Sequence, residues 1–214
     1  LLGYRGLLDE MVTRTGLVGE EAQQLCRLGL ANYFAGCIIM PYERFHMAAD
    51  NLRYDIELLC QRFSTSYEQI AHRLTTLQRP GSQGVPFFFL RVDHAGNISK
   101  RFSASGFHFA RFGGTCPRWN IHEAFRTPDK IIPQLVGTED GTTYFTISRT
   151  VHSMVGTGYK VPEQQLAIGI GCKLEYARKL IYADGFDLTD TSAITPIGVN
   201  CRLCMRMECN QRAN

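Results

Sequence analysis

A chain of 214 residues, 44% hydrophobic and 20% charged, has the balance of a globular protein and fits neither a disordered chain nor one made of membrane spans. Its formal net charge of +3, from 23 basic and 20 acidic residues, is too mild to turn the whole surface into a nucleic-acid binder. No stretch approaches the roughly 18 apolar residues of a membrane helix, and the opening LLGYRGLLDEM lacks the parts of a signal peptide, so a cytoplasmic protein is expected.

The chain opens on Leu1 and turns amphipathic almost at once, which leads us to expect a preceding region. From Glu20 to Met40 the residues Leu25, Leu28, Phe34, Ala35 and Ile38 recur at spacings near three and four, predicting an amphipathic helix stopped by Pro41. A short helix should cover Tyr42 to Ala49. Ile56, Leu59 and Phe63 repeat the pattern, and STSYEQIAHRL restarts it, with Ser66 and Gln69, or Thr65 and Glu68, spaced as a capping box. The pair has a look of helix-turn-helix, but Tyr67-Glu68-Gln69 is a poor start for a helix that reads DNA, so an αα-hairpin is expected. Residues 1–79 therefore read as a helical region.

RPGSQGVP, residues 79–86, marks the expected domain boundary. Beyond it PFFFLRVD and NISKRFSAS flank the turn HAGN as a hairpin, and further strands are expected at KIIPQLV, TYFTISRTV and QLAIGIG. WNIHEAF should form a short helix, and KLEYARKLIYAD a longer one ended by Gly185. The fold class is α+β: a helical region over 1–79, then a mixed, mostly antiparallel domain over 80–214.

Eight cysteines are many for a cytosolic chain. Cys26, Cys37 and Cys60 sit on helical patterns as ordinary small apolar residues. The tail differs: Cys201, Cys204 and Cys209 form C-x2-C-x4-C, with Cys172 upstream at an expected helix start. Close spacing lets a turn aim several thiolates at one point, and a distant fourth closes the site. Four sulfurs suit zinc or an iron–sulfur cluster, and the x4 gap slightly favours the cluster. Cys116, in GGTCPRW, rivals Cys172 for the fourth place, and Arg202, Arg206 and Arg212 would help keep thiolates ionised. A loose tail of free cysteines, or disulfides, are the plainer readings.

Three segments, ARFGGTCPRWNIHEAF, GIGCKLEYARKLIYADG and TPIGVNCRLCMRMECNQRA, resemble the C-terminal domain of bacterial short-chain fatty-acid-sensing transcriptional regulators, which govern propionate (methylcitrate) and acetate (glyoxylate) metabolism. Within that class the mycobacterial propionate regulators are the expected kin. LANYFAGCIIMPYERFHMAA and YDIELLCQRFSTSYEQIAHRLTTLQRPG resemble their middle region, itself similar to ImmA/IrrE-type metallopeptidase domains. The resemblance implies a DNA-binding helix-turn-helix domain outside this sequence, a short-chain acyl-CoA effector, a homodimer, and a 4Fe–4S cluster on Cys172, Cys201, Cys204 and Cys209, with Cys116 also at a family position. A zinc peptidase would need His-Glu-x-x-His, which is missing here, so no enzyme is expected.

Coenzyme A carries phosphates and a flat base, so its site should combine cations with aromatic surface. Phe87, Phe89, Arg91, Lys100 and Arg101 on the expected hairpin, with Arg111, are the candidates; Tyr42, Arg44 and Trp119 are weaker ones. The leading reading is an acyl-CoA-sensing module with an iron–sulfur cluster. The alternatives are a zinc-stapled interaction domain and a thiol-dependent acyltransferase built on Cys116 with His122 as base.

Overall fold

The computed structural model describes residues 2–110, 114–153 and 164–212, which divide into two compact units, 1–45 and 46–214. In the first, α1 (Leu2–Arg14) and α2 (Glu20–Ile39) pair, with Arg27 Nε donating to Asp9 Oδ1 at 2.7 Å. The second helix begins with Glu20 and Glu21, the charges its N-terminus favours, and stops before Pro41. None of its 20 residues is buried. The next helix, α3 (Tyr42–Asn51), contains the division.

In the second unit α4 (Ile56–Phe63) starts at Asp55, whose carboxylate accepts from Leu58 N at 3.1 Å. For α5 (Tyr67–Thr75) the capping box forms on Ser66 and Gln69: the Ser66 hydroxyl accepts from Gln69 N at 3.2 Å and the Gln69 side chain from Ser66 N at 2.9 Å. Tyr67, Ile70, Ala71 and Leu74 are buried, so α5 is a packed helix of an αα-hairpin.

Six strands form one sheet in the order β2-β1-β5-β4-β3-β6. They are β1 (Phe88–Val92), β2 (Ile98–Ser103), β3 (Ile132–Gly137), β4 (Thr143–Ser153), β5 (Gln164–Lys173) and β6 (Thr195–Pro196), with α6 (Asn120–Glu123) between β2 and β3. All pairings are antiparallel except the short β3–β6 contact. Residues 79–86 are not a free linker: Val85 is buried and its N–H donates to the Tyr54 hydroxyl at 3.1 Å. Thus α4 and α5 belong with the sheet rather than apart from it.

Side-chain alternation divides the sheet into two faces. Phe88, Leu90 and Val92 point to a core with Phe107, Cys116, Trp119, Ile121, Tyr144 and Ile197. Phe87 and Phe89 point the other way, against Tyr54 and His72 at 5.5 and 5.8 Å between ring centroids.

The longer helix expected over KLEYARKLIYAD does not form. Two 3-10 turns, Leu174–Lys179 and Ile181–Ala183, take its place, broken where Leu180 is extended. Tertiary hydrogen bonds pull the segment out of helical register: Ile181 N donates to Arg53 O at 2.9 Å, the Tyr182 hydroxyl accepts from Ile56 N at 2.8 Å, and Asp184 ion-pairs with Arg53 at 2.7 Å. Gly185 does end the segment in the left-handed region at φ 87°.

Candidate metal centre

The tail beyond β6 is a run of turns held by side chains. Asn200 caps the first turn, its Oδ1 accepting from Leu203 N at 2.9 Å and its carbonyl from Cys204 N at 3.1 Å. Arg212 reaches back to the carbonyls of Cys204 and Arg206 at 2.7 and 2.6 Å, and Glu139 accepts from Met205 N at 3.1 Å. Gly198 leaves space for a sulfur, since a Cβ there would lie 2.9 Å from Cys204 Sγ.

These contacts gather Cys201, Cys204 and Cys209 on one small cavity, and the remaining cysteine on its wall is Cys116. Arg118, Arg206, Arg212, Asn200 and Pro117 complete the lining, with no carboxylate among the described residues. Four thiols and three guanidiniums thus line one cavity.

Cys172 does not join them. It is fully buried on β5, a strand residue rather than the start of a helix. Its neighbours Gly169 and Gly171 face Leu90, Ile121 and Phe88, the same core that holds Cys116. By alternation Cys172 points to the opposite face, so the sheet separates it from the cavity. Burial pushes its thiol pKa well up.

The donor set is that of a thiolate-ligated group. Among the described residues no three Cys, His, Asp or Glu side chains are close enough to hold one metal ion. The cavity holds about 10 Å3, the space of one water.

The residues expected to meet coenzyme A are dispersed. Phe87 and Phe89 are core side chains, 2% and 0% exposed. Arg91 and Lys100 share the face of Phe89, where Glu68 on α5 pairs with both, at 3.0 and 3.4 Å, and Lys100 Nζ lies 5.7 Å from the Phe89 ring centroid. Arg101 lies on the other face, donating to the Ala110 carbonyl. Arg111 lies outside the described residues. Trp119 is buried in the core. His122, proposed above as a base for Cys116, places its Nε2 2.8 Å from Thr115 Oγ1, and among the described residues no hydrogen bond joins it to the Cys116 sulfur.

Arg118, Asn200 and Gly198 were not singled out by the sequence reading. The signal was faint: an Arg two residues after Cys116, and Gly-Val-Asn immediately before Cys201.

Comparison with known proteins places the chain among bacterial transcriptional regulators. More narrowly, it belongs to the short-chain fatty acyl coenzyme A regulators, whose C-terminal domain matches residues 76–214, while residues 6–75 match the IrrE N-terminal-like domain. The HTH-type transcriptional regulator RamB of Mycobacterium tuberculosis is 50% identical over 214 residues, covering 99% of this chain and 45% of the relative. HTH-type transcriptional regulator PrpR of the same species is 47% identical over 213 residues, covering 100% and 44%. A solved structure described as a Mycobacterium tuberculosis transcriptional regulator superimposes with a TM-score of 0.94 at 47% identity, covering 99% of this chain and 64% of that one. The chain spans about half the length of the curated relatives it matches. Among the described residues no helix is long and apolar enough to cross a membrane.

Proposed function

We propose that this chain is the effector-sensing part of a cytoplasmic transcriptional regulator of short-chain fatty-acid metabolism, and that it carries a 4Fe–4S cluster on Cys116, Cys201, Cys204 and Cys209. The observation that carries the ligand set is the cavity on which those four thiols, and not Cys172, converge. When bound, the cluster would supply a redox-sensitive staple between the tail and the core. The protein's own part is to aim the sulfurs: Asn200 and Arg212 shape the turns, and Arg118, Arg206 and Arg212 offset negative charge.

The effector in this reading is a short-chain acyl-CoA, propionyl-CoA or acetyl-CoA, in keeping with the family to which the chain belongs. Among the described candidates, Arg91 and Lys100 are the cations this reading assigns to a phosphate, because the phenylalanines are buried and Arg101 lies on the opposite face of the sheet. Acyl-CoA binding would act by preferring one arrangement of a homodimer, thereby changing how DNA-binding domains outside this sequence meet their operator. The relatives, named as regulators, support a role in control rather than turnover.

Anaerobic purification tests the metal reading. Broad absorbance with iron and acid-labile sulfide near four each per chain is the expected result; about one zinc and no iron refutes it. Calorimetry with propionyl-CoA and acetyl-CoA tests the effector, and the absence of binding for both refutes that part.

A further inference from the structure

Side-chain exposure splits α2 along its length. Ala22, Cys26, Leu30 and Cys37 are half-buried on one side, while Leu28, Ala31, Ala35 and Ile38 are exposed on the other. Steps of three, four and three residues align these four along the helix, the spacing of a seam that meets another helix. Leu28 is 58% exposed and Ile38 65%, with Leu25 and Ile39 beside them at 70% and 49%. From Leu28 to Ile39 the sequence has no charged residue. Between the two large side chains the alanines leave a notch that lets a second helix approach closely. This side runs for about three turns, roughly 17 Å, and an apolar patch of that order marks an interaction site.

The occupant follows from what the helices lack and from the length of the relatives. The unit Leu1–Phe45 is built on α1 and α2, and two helices of that length bury too little to hold their arrangement alone. The solved relative matches 99% of this chain, both helices included, yet has over a third of its own length outside the match. In the curated relatives more than half of the length lies outside. A segment of the same polypeptide docks at the high effective concentration of a linked partner. One seam three turns long then suffices, where a separate molecule or a second copy would need an interface of on the order of 1,200 Å2.

We propose that the Leu28–Ile38 side of α2 seats an apolar helix face from the part of the regulator's own polypeptide outside these 214 residues. The proposal rests on the reading of this chain as one part of a longer regulator. The seam would join that part to the remainder, and so lies on the route between effector and DNA-binding domain.

The test places the photoreactive analogue p-benzoylphenylalanine at Leu28 and, separately, at Ile38 of the intact regulator; both sites are exposed, so a larger ring fits at either. Irradiation should join each position to a peptide outside the 214 residues of the same copy, read by peptide mapping of the product that keeps the mass of one chain. Independently, the α2 amides should exchange with solvent at least about tenfold more slowly in the intact regulator than in the 214-residue chain. Products of twice the mass would make α2 a contact between copies. Crosslinks confined to residues 1–214, or equal exchange in the two proteins, would leave the seam unoccupied. Each of these results overturns the proposal. Iron content and acyl-CoA binding, measured separately, decide the sensing reading, so a failed crosslink with both intact strikes only the seam.

Discussion

Gly171 stands opposite Phe88 across the β1–β5 pair, so close that a Cβ on it would lie 2.6 Å from the Phe88 ring and 2.8 Å from the Phe145 carbonyl oxygen. This contact turns Gly171 toward the core of Phe88 and Cys116, and by alternation turns Cys172 away from it. The pleat thus keeps Cys172 off the face on which Cys116 lies.

Gly171→Ala should cost about 1–3 kcal/mol, because neither the packed ring nor the backbone carbonyl can easily give way. A urea midpoint lowered with an unchanged slope is the expected observation. An unaltered midpoint would mean that β1 and β5 do not approach so closely.

Gly198 is the counterpart in the tail. Its Cβ would meet Cys204 Sγ at 2.9 Å, so Gly198→Ala should displace that sulfur and weaken metal retention about tenfold or more, while global unfolding shifts little. Iron remaining after chelator challenge measures this. Retention equal to the parent would show that Cys204 has no need of the space.

His72, half-buried beneath β1 and β2, has its pKa held down to about 4, chiefly by burial and further by the Lys100 and Arg73 charges, with Glu68 opposing. Its unfolded value is near 6.5. A depressed histidine stabilises the fold above the unfolded pKa, and that contribution fades as pH falls from about 6.5 to 4, because the unfolded chain takes up the proton more readily. With the ring partly exposed, the loss should be on the order of 1–2 kcal/mol after discounting for solvent screening. Unfolding midpoints at pH 7 and about pH 4.5 should differ less in His72→Gln than in the parent; an equal difference would assign the acid sensitivity elsewhere.

Arg91 and Lys100 meet at Glu68. Arg91→Ala should reduce acyl-CoA affinity about tenfold without changing iron content, if that hairpin edge takes a phosphate. Calorimetry on the variant checks this, and full affinity would move the effector site to another surface.

Much of the fold was legible in the sequence because its signals are local. Periodicity placed α2, α4 and α5, the Ser66–Gln69 spacing located a cap, and short β-rich runs between turns marked the strands. KLEYARKLIYAD failed as a helix because distant partners, Arg53 and Ile56, decide its hydrogen bonds. The site was half legible for the same reason. Cys201, Cys204 and Cys209 are joined by short spacing, whereas the place of Cys116 depends on which face of a sheet a loop packs against. The hairpin residues Phe87, Phe89, Arg91, Lys100 and Arg101 are likewise close in sequence, yet the pleat sends Arg101 to one face and the others to the opposite one.

The most direct measurement is iron and acid-labile sulfide per chain in anaerobically purified Cys116→Ser and Cys172→Ser, each beside the parent. Loss of the cluster in Cys116→Ser with normal iron in Cys172→Ser is the predicted result. Normal iron in Cys116→Ser with loss in Cys172→Ser would contradict the assignment, and would require the tail to reach the other face of the sheet.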